Sequence, residues 1–128
     1  MPSLFTKIVR GEIPCHKIME DDQYLAFLDI RPINPGHTLV ITKKEIDYIF
    51  DVDDELLAGL MVFAKKVAHK IGKSVECQRV GIMVAGLEVP HAHVHLVPIT
   101  STGDLTFARA KAASPEELSK LAEKIRQA

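Results

Sequence analysis

Three of the six histidines in this chain alternate with small or apolar residues in His91-Ala92-His93-Val94-His95-Leu96-Val97. That alternation reads as one β-strand. Successive side chains of a strand point to opposite faces, so His91, His93 and His95 share one face while Ala92, Val94 and Leu96 share the other. The apolar set marks the core side. Pro90 and Pro98 bracket the run, as expected of a residue tolerated at strand ends and poorly inside. Three stacked imidazoles are poor packing material, and their face points to chemistry.

The rest of the chain supplies partners for this strand. Ser3 is placed to cap a short helix carrying Leu4, Phe5, Ile8 and Val9, which Gly11 ends. Lys17 to Glu20 and Gln23 to Asp29 read as strands around an Asp21-Asp22 turn. His37 to Thr42 resumes a β-rich run after the Pro- and Gly-bearing loop Arg31–Gly36. Leu56, Leu57, Leu60, Phe63, Ala64, Val67, Ala68 and Ile71 recur at helical spacing, with Asp53 or Asp54 as cap and Gly72 as the expected stop. His69 on this helix reads as solvated. Arg79 to Val84 is another apolar strand. Ser114-Pro115-Glu116-Glu117 has the form of a capping box opening a last helix toward Ile125. Short connections suit antiparallel pairing. The expected class is α+β, an antiparallel sheet with one long helix, a short N-terminal helix and a C-terminal helix, in a single domain over residues 1–128.

Composition excludes several functions. A formal net charge of −1 gives no field for nucleic acid or an anionic membrane, so an anionic ligand must be held by a local site. No run approaches a membrane span, and the N-terminus lacks a signal-peptide pattern. Cys15 and Cys77 stand apart without zinc or redox spacing. A cytoplasmic setting, without nucleic-acid or membrane partners, is expected.

Neutral imidazole is both a nucleophile and a proton carrier near neutral pH. Three close imidazoles disfavour accumulated positive charge, leaving a neutral nitrogen to attack and a neighbour to bind an anion or supply a proton. Such a division suits attack on phosphorus by double displacement, with nucleotidyl transfer first to histidine and then to water. Metal binding competes, because alternate histidines on a strand can also hold zinc.

His91-Ala-His93-Val-His95-Leu-Val97 resembles the signature of the histidine-triad family. Leu4-Phe5-Thr6-Lys7-Ile8-Val9-Arg10-Gly11-Glu12-Ile13-Pro14 is similar to the N-terminal segment of its HINT branch. Glu20-Asp21-Asp22, Leu25-Ala26-Phe27-Leu28-Asp29-Ile30 and Pro32-x-x-Pro35-Gly36-His37-Thr38-Leu39-Val40-Ile41 continue the likeness in order. The resemblance implies a nucleotide hydrolase or transferase with His93 as nucleophile, and His95 contacting the phosphate and assisting the leaving group. It implies His91 in the network orienting the nucleophile, and His37 as the fourth family histidine. Asp29 would bind the ribose hydroxyls, and Leu4, Phe5, Ile8, Phe27, Ile30 and Leu39 would wall the base pocket. Read without the family, those six apolar residues fit a core equally well.

The segment before the triad departs from the HINT pattern. Leu87 stands where those proteins carry glutamine and Glu88 where they carry a hydroxyl residue, so Gly86 and Glu88 fall beside the expected phosphate. A leucine cannot hydrogen-bond a phosphate, and a carboxylate repels one. Two readings stand: Glu88 favours a cationic or amine-bearing leaving group, or it turns away toward Arg79 or a lysine. The implied activity is cleavage of purine nucleoside 5′-phosphoramidates through a nucleotidyl-histidine intermediate, by a two-fold homodimer needing no cofactor or metal. Dinucleoside polyphosphate hydrolysis, a zinc-dependent hydrolase and an idle nucleotide-binding protein are the alternatives. The stretch Ser101-Thr102-Gly103-Asp104 is a candidate cover for the leaving group.

Overall fold

The computed structural model describes residues 1–128 as a five-stranded antiparallel sheet with helices on both faces. The elements are α1 (Leu4–Val9), β1 (Lys17–Glu20), β2 (Tyr24–Leu28), β3 (Thr38–Thr42), α2 (Asp54–Ser74), β4 (Arg79–Met83), β5 (His93–Ile99) and α3 (Pro115–Arg126). Strand order is β1-β2-β3-β5-β4, so the histidine strand lies between two neighbours and β4 forms an edge. The α+β reading and its three helices hold.

The two sheet faces do different work. Tyr24, Ala26, Leu28, Val40, Val94 and Leu96 meet Leu60, Phe63, Ala64, Val67 and Ile71 of α2 and Leu118, Ala122 and Ile125 of α3 in the main core. Each Val, Leu, Ile or Phe among them contributes roughly 1.5–3 kcal/mol when fully buried, which is what holds α2 and α3 to the sheet. On the other face, Phe5 of α1 packs with Leu25, Phe27, Leu39 and Ile41 in a smaller cluster. Register sets Ile41 opposite His93 and Leu39 opposite His95, so both histidines stand on this second, thinly covered face.

Three expectations need correction. The helix does not stop at Gly72 but runs on to Ser74, whose Oγ–H donates to the Lys70 carbonyl, and ends where Val75 turns extended. The histidine strand starts at His93 rather than His91 and passes through Pro98 to Ile99. Pairing with β3 ends at Leu96, so Pro98 has a strand neighbour only at β4 and its missing N–H breaks no central ladder. Ser114 does accept from the Glu117 amide, with Pro115 opening α3 as expected. Within α2, Gly59 is required by space: a Cβ there would overlap the Tyr24 hydroxyl, which donates to the Leu56 carbonyl at 2.9 Å.

Candidate active site

The site begins at the cap of α1. Ser3 Oγ accepts from the Thr6 amide at 3.0 Å and lies 2.8 Å from His91 Nδ1. The other ring nitrogen of His91, Nε2, is 2.6 Å from the Thr42 carbonyl, which can only accept. His91 therefore carries its proton on Nε2 and takes the Ser3 hydroxyl proton at Nδ1. Beside this pair, Glu45 Oε1 accepts from the Ser3 amide and the Thr6 hydroxyl, each at 2.6 Å. Those bonds, the Thr6 hydroxyl foremost, hold the Glu45 carboxyl down at about 2.

The same reasoning assigns the next two rings. His93 Nδ1–H donates to the His91 carbonyl at 2.6 Å, which leaves its Nε2 as an open lone pair. The Ile33 amide donates to His37 Nδ1 at 3.0 Å, so the His37 proton sits on Nε2 and is given to His95 Nδ1 at 2.9 Å. His95 must then carry its proton on Nε2. That nitrogen is the one buried side-chain polar atom with no hydrogen-bond partner, an arrangement costing about 1–3 kcal/mol that points to a missing acceptor. Burial pushes the pKa values of His37, His91 and His95 down, and His95 falls to about 3 with help from His37 and His93. For His37 the Asp29 carboxylate, 3.6 Å away, opposes burial without overcoming it.

His93 and His95 open into a cavity of about 440 Å³. Leu4, Phe5, Ile8, Phe27, Leu39, Asp29, Ile30 and Glu88 line it, all of them singled out from the sequence. The view of the apolar six as plain core fails for Leu4 and Ile30, which are 48% and 64% exposed and form the cavity's rim. His37 and His91 do not line it; His37 acts on the His95 ring, and His91 acts on the His93 ring through its backbone carbonyl. Gly86 does not line it either. It turns the loop with a φ of 84°, and an added Cβ would meet nothing, so its backbone conformation and not contact with a ligand explains the glycine. Leu87 is 91% exposed, pointing away. Glu88 does not turn toward Arg79 or a lysine: its Oε1 lies 3.6 Å from His93 Nε2 and 3.8 Å from His95 Nε2.

Sequence reasoning missed Ile13, Pro14, Cys15, Leu28, Arg31, Val89, Phe107 and Ala110 among the lining residues. Phe107 matters most. Its ring meets His95 edge-on with centroids 5.0 Å apart. The stretch Ser101–Asp104 does not cover the cavity. It forms a tight turn in which buried Asp104 accepts from the Thr100 amide and from Arg109 Nη1, and so anchors the turn that presents Phe107. A lone aromatic in that polar stretch was the available signal.

The family model of the HIT domain matches residues 10–102. The chain belongs to the HIT family. Among its HIT relatives, adenosine 5′-monophosphoramidase hnt1 of Schizosaccharomyces pombe is 36% identical, covering 98% of this chain and 96% of that protein. A Hit-like protein from Bartonella henselae superposes with a TM-score of 0.87 at 32% identity, covering 98% of this chain and 94% of that one. A Zn-bound histidine triad family protein from Mycobacterium smegmatis gives 0.82 at 29% identity, with 97% and 90% covered. No helix here is long and apolar enough to cross a membrane.

Proposed function

We propose that this protein hydrolyses purine nucleoside 5′-phosphoramidates through a nucleotidyl-histidine intermediate. The observation that carries the reading is the pair of ring nitrogens facing the cavity, a lone pair on His93 Nε2 and a proton on His95 Nε2. His93 Nε2 attacks phosphorus as the P–N bond of the substrate breaks. The departing amine needs a proton in order to leave; it comes from solvent, because Nε2–H is the only proton of the neutral His95 ring, which keeps it and donates it as a hydrogen bond to the reacting group. Water then attacks the phosphoryl group, releases a proton to solvent and frees His93. The His91 carbonyl, accepting from His93 Nδ1–H, supports the positive charge that the phosphorylated ring carries. Asp29 holds the ribose hydroxyls, and the rim and walls from Leu4 to Leu39 hold the base. The monophosphoramidase name of the fission-yeast relative favours this substrate class over dinucleoside polyphosphates.

Zinc hydrolysis is the second reading, because Glu88, His93 and His95 offer three donor atoms within 4.8 Å of one another. The hydrogen-bond directions speak against it. A metal on His95 Nε2 needs that proton moved to Nδ1, where His37 Nε2–H already donates, and His37 cannot reverse while the Ile33 amide points at its Nδ1. Only two donors remain, too few for a closed or catalytic zinc site.

A homodimer belongs to the same proposal. The β4 edge leaves Ile82 47% exposed, and Met61 and Val62 of α2 are 43% and 54% exposed, apolar surface suited to a two-fold partner. To test the function, wild type and His93→Ala would be given an adenosine phosphoramidate of a fluorescent amine, with and without chelator. The expected result is chelator-resistant release by wild type, lost in His93→Ala. Chelator-sensitive release would bring zinc forward, and adenosine phosphate binding without release would leave a binding protein.

A further inference from the structure

We infer that Glu88 selects the charge of the leaving group, favouring amines that bear a second positive charge on a short apolar stem. The inference rests on the phosphoramidate reading above and adds to it the chemical class of the amine.

The argument starts from space. A reacting phosphorus must come within about 3–3.5 Å of His93 Nε2, and the Glu88 carboxylate already stands 3.6 Å from that atom. The two cannot share the position. The Glu88 side chain is 47% exposed and follows the turn at Gly86, so it yields to the phosphoryl group by rotating toward the rim. Displacement in line places the leaving nitrogen on the far side of phosphorus from His93, with the His95 donor atom, within 4.8 Å of that of His93, flanking the path as a hydrogen-bond donor. Before that rotation Glu88 Oε1 stands 3.8 Å from His95 Nε2, so a carboxylate moved only as far as the rim still borders the same corner. Phe107 closes the corner with an apolar edge against the His95 ring. A departing amine thus meets one hydrogen-bond donor, one aromatic wall and one carboxylate. No lysine lines the cavity, and its one arginine, Arg31, has a guanidinium 3.5 Å from the Ala110 carbonyl at the other end of the 107–110 turn. A leaving group with an ammonium on a stem of a few carbons finds a partner there, and one with a carboxylate finds repulsion.

The test uses three adenosine 5′-phosphoramidates on one four-carbon stem: of 1,4-diaminobutane, of butylamine and of 4-aminobutyrate. Their kcat/KM values would be measured for wild type, Glu88→Gln and Glu88→Lys. Expected for wild type is the order cationic, neutral, anionic, with about a tenfold ratio between the extremes, equivalent to about 1.4 kcal/mol. That ratio should shrink as salt rises, because the carboxylate is half exposed and screened. Glu88→Gln should bring the three within about threefold of one another, and Glu88→Lys should invert the order. An order unchanged in both variants overturns the inference while leaving the phosphoramidase intact. Equal slowing of all three substrates overturns it too, placing Glu88 in the chemistry common to them. No turnover of any substrate by wild type removes the phosphoramidate reading and this inference together.

Discussion

Acid should unfold this protein through its histidines before its carboxylates. His95 has an ordinary value of 6.5 in the unfolded chain and about 3 when buried beside His37 and His93. Above pH 6.5 both states are neutral and the folded state keeps its full stability. As pH falls below 6.5 the unfolded chain binds a proton that the native ring refuses, and stability drops by about 1.4 kcal/mol per pH unit. At pH 5.5 the loss from His95 alone is about 1.4 kcal/mol relative to pH 7.5, and it would reach about 5 kcal/mol once pH passes the folded value near 3. His37 and His91 are shifted the same way by burial and add losses of the same sign. Even the roughly 1.4 kcal/mol from His95 alone is a sizeable share of a typical 5–15 kcal/mol. Glu20, Glu45, Asp104 and Glu123 have lowered values, so their stabilisation is present above the usual carboxylate range and fades only below it. The window from pH 7.5 to 5.5 therefore isolates the imidazoles. Urea unfolding at pH 7.5, 6.5 and 5.5, repeated at two protein concentrations to test for subunit dissociation, gives the slope. His95→Asn should reduce the loss at pH 5.5 by about 1.4 kcal/mol relative to wild type. A wild-type stability flat across this window would refute the picture of neutral, sealed rings.

Other outcomes follow from single contacts. Gly59→Ala, which helix propensity alone would favour by about 1 kcal/mol, should instead destabilise, because its methyl displaces the Tyr24 hydroxyl from the Leu56 carbonyl; the sign of the Tm change decides. Ser3→Ala should lower stability by about 2 kcal/mol, combining a lost helix cap with an unsatisfied nitrogen on His91. Ser3→Asp keeps the cap but offers no proton, so His91 should titrate at higher pH than in wild type when followed by NMR. Asp29→Ala should raise KM about tenfold for a ribonucleoside phosphoramidate, as for a lost charge-assisted hydrogen bond, and much less for the 2′,3′-dideoxy analogue.

The sheet was legible because its signals are local. The apolar runs in Tyr24–Leu28 and Thr38–Thr42 and the alternation of the histidine run survive in any surroundings, and Ser3, Asp53 and Ser114 cap where their side chains say they should. What stayed hidden depends on distant groups. Nothing near Gly72 in the chain shows that α2 continues two residues beyond it. Leu4 and Ile30 look like core until α1 and the end of β2 are seen to flank an opening. Two-way ambiguity over Glu88 could not be resolved from composition, since its partner is decided by a turn at Gly86. The family likeness singled out His37 and Asp29, which stand against His95 and on the cavity wall, yet the partner of His37 at the Ile33 amide is a backbone group that no residue pattern displays.

That dependence on the backbone carries an evolutionary consequence. The protonation of all three rings at the reaction centre traces to the Ile33 amide, the Thr42 carbonyl and the His91 carbonyl. Substitution of a side chain leaves a carbonyl in place, and only proline deletes an amide proton. The nitrogen that attacks is thus shielded from most point mutations, while the His95 nitrogen depends in addition on one side chain, His37. The corner that meets the departing amine is built from the side chains of Glu88 and Phe107, each changeable in one step. Descendants of this chain are free to drift in what they release while inheriting unchanged the means of releasing it.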